Sequence, residues 1–442
     1  MLKVGLAQEI ITPPIGVGLA GYFNKRPNQG MYDDLFVKTT ILDNGKTRFG
    51  FMTFDLCFLH QPSFDCLKKR IVAEFSQELY DHLIISATHT HTGPNYSNYD
   101  AMDALTKKAH DDMIDSAILS LHRAIGNLLP STLETTSIYN NPYGFVRRYW
   151  MKNGTIVTNP GWCNKDIDKP ESDFDRTIGI LAVKQKGRIA ALLCNIVNHG
   201  DTIGGDIVSA DWFGRFAQAI QYELTTSIPV VVLTDASGDV NHFDFHQKVN
   251  QSSYAEATRI GRGYATLVAQ ALKDLKPVPE EEVTINNCTV TIPHRVLTDE
   301  EFAEAKHIMA TVPDIKKDGD FESQDLANKV PAALRYFAQR AIDCHDKSTP
   351  SHEGRLTAIK IGKELAFATL PGEPFNGIGR ALREASPCKQ TFVVELAQSE
   401  SGYIPMPECF ERGGYEVQAG INSSAQNAAN VLIKASIENL KK

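Results

Sequence analysis

The sequence reads LIISATHTHTGP from Leu83 to Pro94, an apolar run that leads directly into two histidines. Side chains alternate along an extended backbone, so His89 and His91 point in the same direction. A buried strand that ends in this way brings two metal-binding nitrogens to one place, and histidine is the commonest protein ligand for zinc-like ions. Taken alone, such a pair is more often one hydrogen-bonded core histidine and one surface histidine. A core strand that ends at a metal site is the alternative, and the rest of the chain favours it.

Four further apolar runs end in polar residues that are capable of chemistry. They are Ile189–Val197 before His199, Val230–Leu233 before Asp239, Leu365–Leu370 before Glu373, and Phe392–Leu396 before Tyr403. In open α/β sheets, ligands bind outside the carboxyl ends of the strands. Several such junctions predict a metal site assembled from separate strands. Asp201 and Asp239 stay open between binding a second ion and hydrogen bonding to the ligands of the first.

Strand-like runs alternate with helix-like stretches along most of the chain, for example at 104–127 and 253–275. This alternation predicts an α/β fold with a mixed, largely parallel sheet core and helices on both faces. The runs 178–183 and 188–197 are joined by a short turn and form the antiparallel pair that makes the sheet mixed. We expect residues 1–442 to form a single domain, with residues 296–350 as a helical insertion within it.

Composition narrows the class of protein. The 442-residue chain has a net charge of −8 and 42% hydrophobic residues, and it has no basic cluster interleaved with aromatics, which argues against nucleic acid as a partner. No apolar stretch approaches the roughly 20 residues that a membrane helix needs. The amino terminus runs straight into strand-like sequence and the cysteines are scattered. We therefore expect a cytoplasmic protein, with a signal segment already removed as the open alternative. The oligomeric state stays open.

Several different short motifs follow one another along nearly the whole chain. They are Ala20-Gly21-Tyr22, Ser86–Pro94, Asn198-His199-Gly200, Ser209-Ala210-Asp211, Gly238-Asp239-Val240, Pro371-Gly372-Glu373 and the tyrosines Tyr403 and Tyr415. As a set they resemble the catalytic N-terminal domain of the neutral/alkaline non-lysosomal ceramidase family. The resemblance implies a zinc-dependent hydrolase of lipid, and specifically sphingolipid, metabolism that cleaves a linear N-acyl amide bond. It also implies a zinc ion held by His89, His199, Glu373 and Tyr403.

The same resemblance suggests roles for the neighbouring residues. It implies that His91 and Tyr415 handle the proton and the oxyanion, and that either Arg147 or Arg148 contacts the substrate. These roles agree with the chemistry of the residue types. Two imidazoles and a carboxylate leave room on zinc for a water whose pKa falls to about 7. A histidine beside them can move that water's proton, and an arginine with a tyrosine hydroxyl can stabilise an oxyanion.

The sequence leaves alternatives for the substrate and for the class of protein. The residues around Gly238-Asp239 depart from the ceramidase pattern and extra carboxylates crowd the motifs, so the substrate is ceramide or another small-molecule or lipid amide. A second reading is a (β/α)₈ metal amidohydrolase, whose His-x-His also ends a strand. About three strand-like runs precede His89, however, which fits such a barrel poorly. A third reading is a metal-stabilised binding protein of the same fold without activity.

Overall fold

A computed structural model describes residues 1–279, 282–315, 317, 321, 325–326, 329–346 and 349–442. The α-helices in these ranges are Gln61–Glu74, Gln77–Asp81, Ala104–Gly126, Asp211–Glu223, Tyr254–Ala271, Asp299–Thr311, Pro331–Asp346, Asn376–Ala385, Cys409–Arg412 and Ala428–Lys441. Short 3₁₀ turns cover Tyr99–Ala101, Leu272–Asp274 and Tyr415–Val417. Within the ranges that the structure describes, no helix is both long enough and apolar enough to cross a membrane.

A nine-stranded sheet forms the centre of the described chain. Its strands lie in the order Val230–Thr234, Arg188–Ile196, Ile178–Gln185, Leu129–Ile138, Lys3–Ile10, Phe36–Asp43, Arg48–Phe54 and Leu83–Ala87, with Lys276–Val278 paired to Leu129–Ile138. Most pairings are antiparallel. One reason is the tight hairpin at Lys186-Gly187, where both residues have positive φ as a two-residue hairpin turn requires.

A four-stranded sheet packs against the nine-stranded one. Its strands lie in the order Val283–Pro293, Ser351–Ile361, Leu365–Thr369 and Gln390–Val394. Apolar side chains of both sheets form one buried cluster, in which the Phe51 and Phe367 rings lie 4.7 Å apart. Helices pack on the outer face of each sheet. The predicted mixed α/β fold is confirmed, but the second sheet occupies the inner face that we expected helices to cover.

Parallel pairing is found where the predicted site lies. The parallel pairs of the two large sheets are Arg48–Phe54 with Leu83–Ala87, Arg188–Ile196 with Val230–Thr234, and Leu365–Thr369 with Gln390–Val394. Their carboxyl ends are joined by hydrogen bonds. Thr234 Oγ1 donates to the Thr88 carbonyl over 2.9 Å, and the Glu395 backbone N–H donates to the Thr234 carbonyl over 2.9 Å. The sheets therefore bring three separate strand ends to one place. The expectation of a largely parallel sheet holds only there.

Shorter strands surround this junction. They are Gly18–Leu19, Arg26–Pro27, Gly30–Met31, Phe145–Val146, Arg148–Met151, Ile156–Thr158, Ile167–Pro170, Ile207–Val208, Val240–Asn241, Glu373–Pro374 and Tyr403–Ile404. Among the described residues, the predicted insertion includes the helices Asp299–Thr311 and Pro331–Asp346, which lie between the paired strands Val283–Pro293 and Ser351–Ile361. Its residues 316, 318–320, 322–324, 327–328 and 347–348 lie outside the described residues. The division into one domain with an insertion stays a prediction.

Candidate functional site

His89 sits on a strained turn that follows the strand Leu83–Ala87. Its φ of +82° lies in the left-handed region, which non-glycine residues rarely adopt and which is typical of functional sites. The backbone N–H donates to the Leu56 carbonyl over 2.8 Å, and Nδ1 lies 2.9 Å from the Cys57 carbonyl oxygen. A carbonyl can only accept, so Nδ1 of the neutral ring carries the proton. The lone pair on Nε2 is then available to a ligand.

His199 is oriented in the same way at the end of another strand. Its Nδ1 lies 3.1 Å from the Ser237 carbonyl oxygen, so Nε2 again presents a lone pair. Burial, together with His89 and Arg147, lowers the pKa of His199 to about 3, which keeps the imidazole neutral. The two Nε2 atoms are 3.0 Å apart. Histidines that bind metals are characteristically fixed by a backbone carbonyl on the opposite nitrogen.

Glu373 completes the cluster. Its Oε2 lies 3.2 Å from His89 Nε2 and 3.3 Å from His199 Nε2. This oxygen is buried and has no hydrogen-bond partner among the described residues. Burial alone would raise the pKa of the carboxyl group, but pairing with His89 and His199 holds that pKa well below its usual value. Although burial opposes it, Cys57 and Glu373 raise the pKa of His89, so a proton on His89 Nε2 stands where a metal cation would bind. Three electron-pair donors that face one another across such short distances call for a cation between them.

The donor set fits zinc. Tetrahedral zinc with bonds of about 2.0–2.1 Å places its ligand atoms roughly 3.3–3.4 Å apart, close to the separations of 3.0, 3.2 and 3.3 Å seen here. A second group of possible ligands joins Cys57, His89 and His91. It is the poorer candidate, because the carbonyl of Cys57 already engages His89 Nδ1 and burial raises the pKa of the Cys57 thiol.

Tyr403 lies beside Glu373 through backbone pairing. The short strands Glu373–Pro374 and Tyr403–Ile404 are parallel neighbours with Glu373 opposite Tyr403. The Arg147 guanidinium carbon is 5.2 Å from the centre of the Tyr403 ring, and the Tyr415 ring is 5.9 Å away. Burial raises the pKa of the Tyr403 hydroxyl, while the charge of Arg147 opposes that rise. These contacts place the tyrosine next to the three-residue cluster.

His91 is held at the edge of the cluster by a different set of contacts. Its Nε2 lies 3.3 Å from His89 Nε2, and its Nδ1 lies 3.5 Å from Asp201 Oδ1, which accepts the Tyr22 hydroxyl over 2.7 Å. Gly21 has a φ of +94°, and a Cβ there would lie 2.6 Å from His91 Cγ, so only glycine allows this packing. Burial and the neighbouring His89 lower the pKa of His91, which leaves the ring neutral.

The two consecutive arginines point to different places. Arg147 Nη1 lies 3.4 Å from His199 Nε2, and Nη2 donates to the Gly238 carbonyl over 2.6 Å. Arg148 turns away from the cluster and pairs with Glu171 at 2.5 Å and Glu416 at 2.6 Å. Glu416 also contacts Arg147 Nε at 2.8 Å and so ties the two side chains together. Of the two candidates, Arg147 is the one that reaches the histidine cluster.

We expect Arg148→Met to destabilise the fold. Arg148 is fully buried, and its loss leaves the buried carboxylates of Glu171 and Glu416 without this partner. Breaking a buried ion pair in this way costs about 3–5 kcal/mol, which urea unfolding would measure. The control is Arg70→Met, since the half-exposed Arg70 pairs with Glu74 on a helix surface, where the expected cost is below about 1 kcal/mol. Equal losses for the two variants would contradict the structural role of Arg148.

A cavity of about 720 Å³ opens beside the cluster. At the end next to the histidine cluster its lining includes His91, Glu373, Tyr403 and Tyr415. Aromatic side chains form another part of the wall, namely Tyr22, Phe23, Phe58 and Tyr336. Burial raises the pKa of the Tyr415 hydroxyl, so it stays protonated and can donate a hydrogen bond. Of the sequence-predicted residues, the four named above line this cavity, while His89, His199 and Arg147 are buried beside them and Arg148 lies apart.

Some residues that shape the site are not indicated by any pattern in the sequence. The Cys57 and Ser237 carbonyls fix the histidine rings, and Glu416 bridges the two arginines. No pattern in the sequence marks a backbone carbonyl that accepts from a side chain far away along the chain. Asp201 supports Tyr22 and faces His91, whereas Asp239 Oδ1 accepts the backbone N–H of Asn376, in the first turn of the helix Asn376–Ala385.

Comparison with known proteins shows what the fold is similar to. No protein-family model matches the sequence. The crystal structure of neutral ceramidase from Pseudomonas aeruginosa superposes on 99% of this chain and 74% of its own length, with a TM-score of 0.74 and 17% identity. A structure described as ceramidase complexed with C2 superposes over the same shares, with a TM-score of 0.72 and 16% identity. The resemblance seen in the motifs is therefore confirmed for the fold, which over nearly the whole chain is similar to that of neutral ceramidase.

Proposed function

We propose that this chain is a zinc-dependent hydrolase that cleaves a linear N-acyl amide, with a small molecule or a lipid as substrate. The observation that carries the proposal is the group of three buried atoms, His89 Nε2, His199 Nε2 and Glu373 Oε2, that face one another within 3.3 Å. The similarity in fold to neutral ceramidase supports it. The motifs that resemble that family include the residues of this group.

His89, His199 and Glu373 would hold the ion, with Tyr403 beside Glu373 as the fourth protein ligand. When bound, zinc acts as a Lewis acid that makes water nucleophilic near neutral pH. The backbone carbonyls of Cys57 and Ser237 keep both imidazoles in the tautomer that binds through Nε2.

In this proposal His91 moves the proton. Its neutral ring lies next to His89 without a backbone carbonyl on Nδ1, and it faces Asp201, which stabilises the imidazolium that forms. His91 takes a proton from the attacking water and returns it to the nitrogen of the leaving amine. The acyl carbon gains an oxygen from water, and the carbon–nitrogen bond breaks. The products are a carboxylate and an amine.

Arg147 and Tyr415 would stabilise the oxyanion that develops on the amide oxygen. Arg147 is fixed by Gly238 and Glu416 and reaches the cluster at His199, while Tyr415 packs against Tyr403 in the cavity wall. Donors that are already held in place lower the barrier because no reorganisation is needed as charge develops.

The direct test is metal analysis of protein purified without added zinc, followed by assay on a panel of N-acyl amides. We expect about one zinc per chain and hydrolysis that is lost on chelation and restored by zinc. Protein without any bound metal would contradict the proposal. Zinc without turnover on the whole panel would favour the binding-protein reading.

Arg147→Lys is expected to lower kcat on the order of 10²-fold and leave the zinc content unchanged. Lysine keeps the positive charge but cannot reproduce the fixed, forked donors of the guanidinium. Steady-state kinetics with zinc analysis would measure the effect. The matched control is Arg148→Lys, which we expect to lower the free energy of unfolding and to leave kcat of the folded enzyme within about threefold of the parent. Similar kcat losses for both variants would refute the separate role of Arg147.

A further inference from the structure

A second set of polar side chains lines the same cavity as the candidate metal ligands. It includes His60, His294, His352, Glu353, Glu400 and Ser401. These residues do not belong to either group of possible metal ligands found among the described residues. We call the pair His352 and Ser401 the polar wall, because these two retain free hydrogen-bonding capacity.

Hydrogen bonding fixes what His352 offers to a ligand. His294 Nδ1 lies 2.8 Å from the Thr349 carbonyl oxygen, which can only accept, so His294 donates there. His294 Nε2 therefore accepts from His352 Nδ1 over 2.6 Å. His352 Nε2 is left as an acceptor on a residue that lines the cavity. Within the part of the chain that the structure describes, this buried atom has no hydrogen-bond partner.

Ser401 adds a second unsatisfied group to the same lining. Its Oγ is buried and, as far as the described residues show, makes no hydrogen bond. The neighbouring Glu400 is already engaged, since its carboxylate accepts from His60 Nδ1 and from the Gln61 backbone N–H, each over 2.8 Å. Two residues of the cavity lining therefore carry an acceptor and a hydroxyl that have no partner among the described residues.

The charges around the polar wall favour a neutral ligand group. Arg340 and Glu353 line the cavity with opposite charges, and Glu400 is paired with His60. His352 Nε2 and Ser401 Oγ are already shielded from water, and an alkyl chain placed beside them would leave both without a partner, which is unfavourable. A hydroxyl or a carboxamide can donate to the acceptor on His352 and can exchange a hydrogen bond with the hydroxyl of Ser401.

We propose that the polar wall binds a neutral hydrogen-bonding group, a hydroxyl or a carboxamide, carried on one arm of the substrate. The proposal rests on the amide hydrolysis proposed above and specifies its substrate class. The substrate is then an N-acyl amide with a polar arm of modest length, in place of an amide with two long alkyl chains. His352 and Ser401 determine this specificity by contacting the arm, away from the bond that breaks.

The test uses three amides of equal chain length, namely N-butylhexanamide, 6-hydroxy-N-butylhexanamide and N-(4-hydroxybutyl)hexanamide. A short-chain ceramide serves as the lipid comparison. Dissociation constants are measured by calorimetry and kcat/KM by amine release, on the parent protein, His352→Leu, His352→Gln and Ser401→Ala. We expect one hydroxylated amide to bind on the order of tenfold more tightly than N-butylhexanamide. His352→Leu should reduce this preference to within about twofold, and His352→Gln, which retains an acceptor, should restore part of it.

The outcomes separate this inference from the proposed function. Three outcomes would overturn the inference and leave the hydrolase proposal intact. They are hydrolysis without preference for a hydroxylated amide, tighter binding of the ceramide, and equal losses for all amides in His352→Leu. Preferential binding that depends on His352, without hydrolysis of any amide, would support the polar wall and refute the hydrolase. A folding defect in His352→Leu leaves Ser401→Ala decisive, because that change removes only a hydroxyl; an unchanged preference there would count against the wall.

Discussion

Replacing His89 with alanine is expected to remove bound zinc and hydrolysis together. His89 supplies one of the three atoms that face the shared point, and its Nε2 is the closest to His199 Nε2. Without it, a single imidazole, His199, remains beside Glu373 and Tyr403, and the site loses one of the two neutral nitrogen ligands that hold the ion. We expect zinc to fall from about one ion per chain to a small fraction, and kcat/KM to fall by on the order of 10³-fold or more.

Metal content by mass spectrometry and kinetics on one preparation would measure both effects. His110→Ala is the matched control, because His110 is equally buried but lies in the helix Ala104–Gly126, where it contacts Ser63 Oγ at 3.1 Å. That variant should lose some stability and keep its zinc. Zinc retained in His89→Ala, or lost to the same extent in His110→Ala, would show that the cluster around His89 is not the metal site.

The sequence was sufficient to place the metal-ligand candidates, and the reason is physical. His89, His199 and Glu373 each follow an apolar run, and the ends of parallel strands meet at one edge of a sheet. Three independent strand ends with ligand side chains therefore limit the possible arrangements strongly. Tyr403 also follows an apolar run, but its residue type does not indicate a metal ligand, because tyrosine is most often a packing residue. The prediction that Tyr403 is a ligand rests only on the family resemblance.

Contacts between distant segments were beyond sequence analysis. Arg147 and Arg148 are adjacent and equally plausible in the sequence, and only the positions of Glu171 and Glu416 separate them. The polar wall also depends on contacts between segments that are distant in the sequence. His294 and His352 are brought together by antiparallel pairing of two strands that are joined through a long helical segment. Neither histidine belongs to a motif.

Strand direction was the least predictable part of the fold. Alternating strands and helices favoured parallel pairing, yet long antiparallel strands such as Lys3–Ile10 and Phe36–Asp43 form much of the sheet. Parallel and antiparallel strands both appear in the sequence as continuous apolar runs when both of their faces are buried. Here the inner face is buried by a second sheet, which sequence periodicity cannot distinguish from a layer of helices.

His91→Ala is expected to keep most of the zinc and to lose turnover by about 10²–10⁴-fold, the usual contribution of a general base. The structure separates His91 from His89 by their second nitrogens, since Nδ1 of His89 faces a carbonyl whereas Nδ1 of His91 faces Asp201 at 3.5 Å. Zinc content, kcat and the pH profile of kcat/KM would be measured together. In the variant, the limb of the profile that reports protonation of the base should disappear.

Asp201→Asn should keep zinc and lower kcat by a smaller factor, because it removes only the charge beside His91. Loss of zinc in His91→Ala would instead make His91 a ligand, which its 3.3 Å separation from His89 Nε2 would then explain.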